Sequence, residues 1–232
     1  MTGPDTPDFG DKFFGRRAGQ SLRRNHARLV ADLLPALRLG NDADAIANPA
    51  SLFARPVREV WLEIGFGGGE HLAWQAAQNP DVGLIGAEPF INGVAKLLAQ
   101  VEERQLDNIR ILDDDIRPRL PQIGDATVSR AFLLFPDPWP KARHHKRRFV
   151  NQSTLAQLHR ILKPGAEFRV ASDIDDYIRW TLREVYRHGG FEWLAEAPDH
   201  WRQRPADWPQ TRYEAKAMRE GRASAYLTFR RK

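Results

Sequence analysis

Short apolar runs alternate with amphipathic stretches along most of the chain. The apolar runs predict five strands, at residues 60–64, 82–87, 109–112, 129–135 and 167–171. The stretches between them place apolar residues at helical spacing and predict helices at about 69–78, 91–104, 149–162 and 177–187. This alternation indicates βαβ units. We therefore predict an α/β fold with a mainly parallel, twisted sheet and helices on both faces.

The two ends of the chain depart from this alternation. Residues 1–20 contain Gly and Pro without periodicity, and we predict a flexible basic N-terminal arm there. Residues 21–39 predict a helix, whereas residues 41–56 predict a linker rich in Asn, Asp, Ala and Pro. Residues 226–230 alternate as in an antiparallel C-terminal edge strand. We expect everything after the arm, residues 21–232, to form a single domain.

The composition is that of a globular enzyme without a membrane span. Of the 232 residues, 42% are hydrophobic and 28% are charged, and no apolar run approaches the ~20 residues that cross a bilayer. Residues 1–11 lack the basic and apolar segments of a secretory signal. Cysteine is absent, which excludes disulfides and Cys-ligated metals, and the histidines are too scattered to indicate a metal site. We expect a cytoplasmic protein with no membrane or metal partner.

The positive charge is concentrated in two blocks. The net charge is +5. Six basic residues and no acid lie between Lys12 and Arg28, and five more lie between Lys141 and Arg148, together with His144 and His145. Two such blocks indicate a polyanionic partner such as RNA. A solvated basic face is the alternative for either block alone.

A glycine-rich segment at residues 63–69 lies directly between a predicted strand and a predicted helix. Glycines in this place, Gly65 and Gly67 among them, allow a tight turn and the close approach of a ligand to the backbone. Glu88 ends the next strand, 23 residues after Gly65, where a carboxylate can accept hydrogen bonds from both hydroxyls of a ribose. The arrangement predicts a nucleoside-binding site.

The acidic residues around this site favour S-adenosylmethionine (SAM) over a dinucleotide. A dinucleotide-binding loop has a third glycine against the pyrophosphate, and here Glu70 occupies that position. Glu63 and the acidic run at residues 113–115 add negative charge at the ends of the first and third strands. SAM has no phosphate and carries a sulfonium cation, so acids suit it. We predict that Asp115 accepts a hydrogen bond from the adenine amine.

A proline-rich loop follows the fourth strand and carries a single carboxylate, Asp137. Ligands of open α/β sheets bind outside the carboxyl ends of the strands, so we expect Asp137 to face the methyl group of the cofactor. The flanking prolines stiffen the loop, and a purely structural turn is the alternative. If the methyl acceptor were a guanine N7, which has a lone pair and no proton to lose, Asp137 would align it and offset positive charge. The residues alone do not select N7 over other atoms.

The segment from Phe135 to Arg148 resembles the signature of the bacterial tRNA (guanine-N7-)-methyltransferase family. Supporting matches are Phe13-Phe14-Gly15-Arg16-Arg17, Glu63-Ile64-Gly65-Phe66-Gly67, Gly86-Ala87-Glu88, Ser172-Asp173 and Thr211-Arg212-Tyr213-Glu214. These matches span roughly residues 12–230. His145 and Pro140 differ from the residues common in the family, and the 41–56 linker is longer than is typical.

The resemblance implies a Rossmann-like, SAM-dependent methyltransferase that acts on a guanine in the variable loop of tRNA. By position, the SAM-binding residues would be Glu63, Gly65, Gly67, Glu88, Asp115 and Asp137, with Asp137 also catalytic. Substrate-binding residues would be Lys141, Asp173, Thr211, Arg212, Tyr213 and Glu214. RNA contacts would come from Arg143, His144, His145, Lys146, Arg147 and Arg148, and from Arg16 and Arg17 in the arm. The protein would be a monomer or a homodimer.

Two other interpretations remain open at this point. One is a SAM-dependent methyltransferase for a small molecule or a protein, whose activity would not depend on tRNA. The other is an RNA-binding module with a vestigial cofactor fold. Glu63, Glu88 and Asp137 are all present, which argues against the second interpretation.

Overall fold

Seven strands form one sheet in the computed structural model, which describes residues 15–232. The strands are β1 (Glu59–Ile64), β2 (Val82–Ala87), β3 (Ile109–Leu112), β4 (Val128–Leu134), β5 (Leu162–Ser172), β6 (Phe191–Trp193) and β7 (Ala225–Arg231). Their order across the sheet is β3-β2-β1-β4-β5-β7-β6. The first five strands are parallel to one another, and β7 is antiparallel to both of its neighbours.

Helices connect the strands. They are α1 (Arg24–Asp32), α2 (Leu34–Leu37), α3 (Ala43–Ala47), α4 (Glu70–Gln78), α5 (Ile91–Arg104), α6 (Gln152–Ile161), α7 (Asp175–His188), α8 (Asp199–Arg202) and α9 (Arg212–Arg219). Short 3-10 helices lie at Pro49–Leu52, Leu120–Gln122 and Ala142–Arg147. Within residues 15–232, no helix has the length and apolar character needed to cross a membrane.

The core consists of two hydrophobic layers, one on each face of the sheet. Alternate residues of β1 enter opposite layers, so that Leu62 packs into one layer and Trp61 into the other. Leu158 of α6 packs into the Leu62 layer, and Leu97 of α5 packs into the Trp61 layer. Parallel strands buried on both faces require helices on both sides. The predicted α/β fold is therefore confirmed.

The strand order places a crevice beside the end of β1. The chain runs outward from β1 to β2 and β3 on one side, and then returns to β4 and β5 on the other side. The loops that follow β1 and β4 consequently diverge at the carboxyl edge of the sheet. Open α/β sheets bind their ligands at such a switch point.

Two segments near the start of the chain differ from the prediction. The helix predicted at 21–39 begins at Arg24 and is divided into α1 and α2, because Pro35 lies in the first turn of α2. The predicted linker at 41–56 contains α3, whose first turn is capped by Asp42. The Asp42 carboxylate accepts hydrogen bonds from the backbone N–H groups of Asp44 and Ala45.

The C-terminal strand is antiparallel, as predicted. It pairs with β5 over six residues, from Glu167 opposite Arg230 to Ser172 opposite Ala225. The three-residue strand β6 pairs with the outer side of β7, and the sequence pattern did not predict it. A strand this short has too few residues to establish an alternation.

The described end of the N-terminal arm lies against α5. The Ile91 N–H donates to the Arg17 carbonyl at 3.0 Å. The side-chain amide of Asn92 accepts from the Gly19 N–H at 2.8 Å and donates to the Gln20 carbonyl at 2.7 Å. Residues 1–14, with Phe13 and Phe14 of the family motif, lie outside the described range. The flexibility predicted for the arm therefore stays a prediction.

Candidate active site

A cavity of about 670 Å³ lies at the carboxyl edge of β1 to β4. Eight of the residues predicted for the site line it: Arg16, Gly65, Gly67, Glu88, Asp115, Asp137, Arg147 and Tyr213. Residues from the ends of four strands and from the C-terminal segment, which we define as residues 207–214, thus meet at one place. The size is within the range of small-molecule sites.

The glycine-rich loop forms one wall of this cavity. Gly65 and Gly67 have φ angles of +69° and +58°, a region that favours glycine. A Cβ on Gly67 would lie 2.9 Å from a ring carbon of Tyr213. A Cβ on Gly93 of α5 would lie 2.1 Å from the Gly67 carbonyl oxygen. The loop is therefore held between α5 and the C-terminal segment at distances that a larger residue would not permit.

Glu88 ties the end of β2 to this loop. One carboxylate oxygen accepts from the Gly67 N–H at 2.7 Å, and the other accepts from the Phe90 N–H at 2.9 Å. Burial raises the pKa of the Glu88 carboxyl, the hydrogen bonds from Phe90 and Gly67 oppose this rise, and the negative charge of Asp137 adds a smaller increase. Two carboxylates that repel one another across a cavity favour a cationic ligand.

Asp137 is presented by a strained loop after β4. Its side chain is exposed to the cavity. Phe135 and Trp139, two residues before and after it, have φ angles of +50° and +43°. Bulky residues rarely adopt this left-handed region, at a cost of about 1–3 kcal/mol each, unless the surrounding structure holds them there.

Arg148 supplies part of that support. Its guanidinium donates to the carbonyl oxygens of Pro138, at 2.9 Å, and Trp139, and it forms an ion pair with Asp176. The guanidinium also lies 4.9 Å from the ring centre of Trp180. The side chain is 0% exposed. The prediction that the Arg148 side chain contacts RNA is therefore wrong, because this side chain is fully buried and binds other residues of the protein.

Arg147 points the opposite way and lines the cavity. Its guanidinium lies 4.9 Å from the ring centre of Trp139, a cation–π contact. Adjacent residues of this segment thus have different tasks, Arg148 inside the fold and Arg147 at the site.

The rest of the basic segment lies on the protein surface. Lys141, Arg143 and Lys146 are exposed, whereas His144 and His145 are half-buried. The His144 ring packs edge-on against Trp139 at 6.0 Å. These side chains follow the proline-rich loop in the sequence and do not line the cavity, and their RNA contacts stay predictions.

Glu63 is turned away from the cavity. One of its carboxylate oxygens lies 2.7 Å from His71 Nδ1, and both side chains are buried. Gln75 bridges His71 Nε2 at 3.1 Å and donates to the Asp207 carbonyl at 2.7 Å. Glu63 therefore links the start of the glycine-rich loop to α4 and to the C-terminal segment. The SAM contact predicted for Glu63 stays a prediction.

Asp115 lines the cavity, but it is already paired. Arg117 donates to it through Nε at 2.8 Å and through the backbone N–H at 3.0 Å. Neither Arg117 nor the neighbouring buried Ile116 was predicted to line the site. Both follow an acidic run at a strand end, and this position was the available signal. The adenine contact of Asp115 stays a prediction.

Three predicted substrate-binding residues, Asp173, Thr211 and Glu214, are paired with other residues of the protein. The Thr211 hydroxyl accepts from the Glu214 N–H at 3.3 Å and caps α9. The Tyr226 hydroxyl donates to the Glu214 carboxylate at 2.5 Å. Asp173 pairs with Arg222 at 2.6 Å. None of these three side chains lines the cavity, and their substrate contacts stay predictions.

Tyr213 is the residue of this segment that reaches the cavity. Its ring is half-exposed and packs over the glycine-rich loop. The Arg212 guanidinium lies 4.9 Å from the ring centre of Tyr213 and 3.5 Å from Glu70. An exposed ring at the rim of a nucleoside-sized cavity can stack on a base.

The amino-acid sequence is similar to those of known methyltransferases. Residues 57–227 match the sequence model of a family described as "Putative methyltransferase". The chain is 53% identical to the tRNA (guanine-N(7)-)-methyltransferase of Agrobacterium fabrum, over 96% of each chain. It is 51% identical to the Rhodospirillum rubrum protein of the same name, over 99% of this chain and 91% of that one. The chain belongs to the tRNA (guanine-N(7)-)-methyltransferase family. The predicted resemblance is confirmed.

Solved structures agree on the fold. An antibiotic-related methyltransferase superposes with a TM-score of 0.56 at 14% identity, over 85% of this chain and 98% of that one. An rRNA methylase from Streptococcus thermophilus gives a TM-score of 0.52 at 10% identity, over 82% and 90%. At such low identities the likeness shows the Rossmann-like methyltransferase fold alone.

Proposed function

We propose that this protein transfers the methyl group of SAM to N7 of a guanine in the variable loop of tRNA. The observation that carries the proposal is the shared cavity of Glu88 and Asp137, with the basic segment that follows Asp137 on the adjoining surface. The names of the relatives, at about half identity over nearly the whole chain, support the choice of tRNA and of N7.

The residues around the cavity fit SAM. Each Glu88 oxygen accepts one backbone N–H and retains a lone pair for a ribose hydroxyl. A Cβ on Gly65 would meet nothing within 4 Å, so its backbone is open to a ligand. The carboxylates of Glu88 and Asp137 match a ligand with a positive charge. Bound SAM would supply an electrophilic methyl group.

The chemistry needs no general base. Guanine N7 carries an in-plane lone pair and no proton, so methylation leaves a positive charge on the ring. Asp137 can accept a hydrogen bond from the N1–H or the amine of the guanine and so align N7. Its negative charge then stabilises the developing positive charge. The strained, clamped loop fixes this carboxylate before the substrate arrives.

We expect the surface around the cavity to bind the tRNA. We assign phosphate contacts to Arg16 and Arg147 at the rim, and to Lys141, Arg143 and Lys146 beside it. Tyr213 is placed to stack on a base. A tRNA substrate also implies that the protein works in the cytoplasm.

Incubation of unmodified tRNA transcripts with methyl-labelled SAM tests this function. We expect label in the RNA with the wild-type protein and very little with Asp137→Asn. A methyltransferase for a small molecule or a protein would leave the RNA unlabelled. An RNA-binding module without activity would bind the transcript and transfer nothing. Either result would refute the proposal.

A further inference from the structure

Helix α7 has an inner face that packs on the sheet and an outer face that carries exposed arginines. Tyr177, Thr181 and Val185 are buried on the inner face. On the outer face, Arg179 and Arg183 have side chains 81% and 63% exposed. Arg187 is also exposed, which completes a row at i, i+4 and i+8. We refer to Arg179, Arg183 and Arg187 as the α7 arginine row.

Such a row opposes helix stability. Residues four apart are neighbours on a helix surface, and like charges there are destabilising. The row rises about 6 Å per step along the axis, or about 12 Å in all. Arg179 lies 3.9 Å from Asp175, and Arg183 lies 3.4 Å from Glu184, so the row is partly balanced. Glu184 is buried and also accepts from Gln152, which limits its effect at the surface.

An exposed aromatic residue lies beside the row. Tyr186 is 87% exposed and comes one residue before Arg187. A tyrosine gains little from such exposure unless a partner covers it. Arginine forks bind phosphate oxygens, and tyrosine rings stack on unpaired bases, so this pairing of residue types suits RNA.

The α7 surface is continuous with the basic segment beside the active site. Trp180 joins the two, because the His145 ring packs edge-on against it at 5.2 Å. The Arg183 guanidinium lies 4.5 Å from the centre of the same ring. The 3-10 helix at Ala142–Arg147 and helix α7 therefore present adjoining surfaces on the two sides of Trp180, with the carboxylate of Asp176 between them, 3.8 Å from His145 Nε2.

We propose that the α7 arginine row and Tyr186 form a second tRNA-binding surface. This surface binds the phosphate backbone of the tRNA at a distance from the target guanine. This inference rests on the proposed function and extends it, since a tRNA is far larger than the cavity. The negative charge of Asp175 and Asp176 lies at the start of the helix, so we place the contact at Arg183, Tyr186 and Arg187.

The test compares two double variants with equal loss of charge. Arg183→Gln/Arg187→Gln removes the proposed contact. Arg55→Gln/Arg58→Gln removes two exposed arginines near the start of β1, at the opposite edge of the sheet from the cavity. Binding of fluorescently labelled tRNA is measured by anisotropy over a salt series, and methyl transfer is measured at varied tRNA concentrations.

We expect the α7 variant to reduce the log–log salt slope by about one for each lost phosphate contact. Its KM for tRNA should rise, with kcat at saturating tRNA and SAM affinity unchanged. Tyr186→Ala should raise KM without changing the slope. The Arg55/Arg58 variant should match the wild type.

Two results would overturn the inference. An α7 variant with the wild-type slope and KM would show that the row is solvated surface or serves another partner. Equal losses in both double variants would show that only total charge matters. A wild-type protein that neither binds nor methylates tRNA would instead refute the proposed function, and the two failures are thus distinguishable.

Discussion

Arg148 donates through Nε to the carbonyl oxygen of Pro138 at 2.9 Å, and so a fully buried guanidinium holds the loop that carries Asp137. The same side chain pairs with Asp176 at the start of α7 and lowers the pKa of that carboxyl. One arginine therefore joins the proline-rich loop to the helix beside it. Strain at Phe135 and Trp139 is retained because this support is rigid.

Loss of Arg148 should disturb both stability and turnover. In Arg148→Ala, the carbonyl oxygens of Pro138 and Trp139 lose their hydrogen-bond donor. The free energy of unfolding should therefore fall by about 1–3 kcal/mol. The turnover number should fall because Asp137 is no longer fixed. Arg147→Ala is the matched control, and it should weaken tRNA binding with little change in stability. Thermal unfolding and single-turnover methyl transfer measure these effects. Equal stability of both variants would contradict the role of Arg148.

Glu88 should contribute to SAM affinity. We expect Glu88→Ala to weaken SAM binding by roughly 1.5–3 kcal/mol, the range for hydrogen bonds to a charged group. The loss of the contacts to Gly67 and Phe90 would add to the effect by loosening the loop. Isothermal titration calorimetry with SAM measures the change. An unchanged affinity would remove Glu88 from the site.

The pH dependence of SAM binding should reflect the raised pKa of Glu88. The carboxylate is the form that accepts the ribose hydroxyls and attracts the sulfonium. As pH falls, a raised pKa means that protonation begins at a higher pH than for an ordinary glutamate. The Kd for SAM should therefore rise on acidification before most surface carboxyls titrate. Glu88→Gln should bind weakly and lose most of this dependence. A wild-type Kd for SAM that stays constant until the pH reaches the titration range of an ordinary glutamate would contradict this expectation.

Asp137 should act on turnover and not on tRNA affinity. Asp137→Asn keeps the shape of the side chain but removes the charge that offsets the developing cation. We expect turnover to fall by about 10²-fold at saturating SAM and tRNA, comparable to the loss of one electrostatic contact to a transition state. The Kd for tRNA should stay within about two-fold. Near-normal turnover would reduce Asp137 to a structural turn residue.

The sequence predicts the two loops because their chemistry is local. The glycines of the first loop and the prolines around Asp137 lie within a few residues of the groups that they position. The sequence does not predict in which direction two adjacent side chains point. Arg147 and Arg148 are neighbours in one basic run, and only the packing of α7 decides which of them is buried.

Glu63 shows the same limit. A carboxylate at the end of β1 suits a cationic ligand, but His71, the second residue of α4, forms a hydrogen bond with that carboxylate. The partner lies eight residues away and becomes adjacent only once the helix packs on the sheet. The hydrophobic pattern also did not predict short elements such as α3 and β6. They have too few residues to show a periodicity, and tertiary contacts determine their conformation.

We expect the methyl group to go to N7 of one guanine in tRNA. Two transcripts test it most directly, one with guanosine and one with 7-deazaguanosine at the guanines of the variable loop. Each is incubated with labelled SAM, and the product is digested and analysed by mass spectrometry. We expect 7-methylguanosine at a single variable-loop position in the first transcript and no methylation of the second. Equal methylation of both transcripts would show that the acceptor is another atom and would contradict the account.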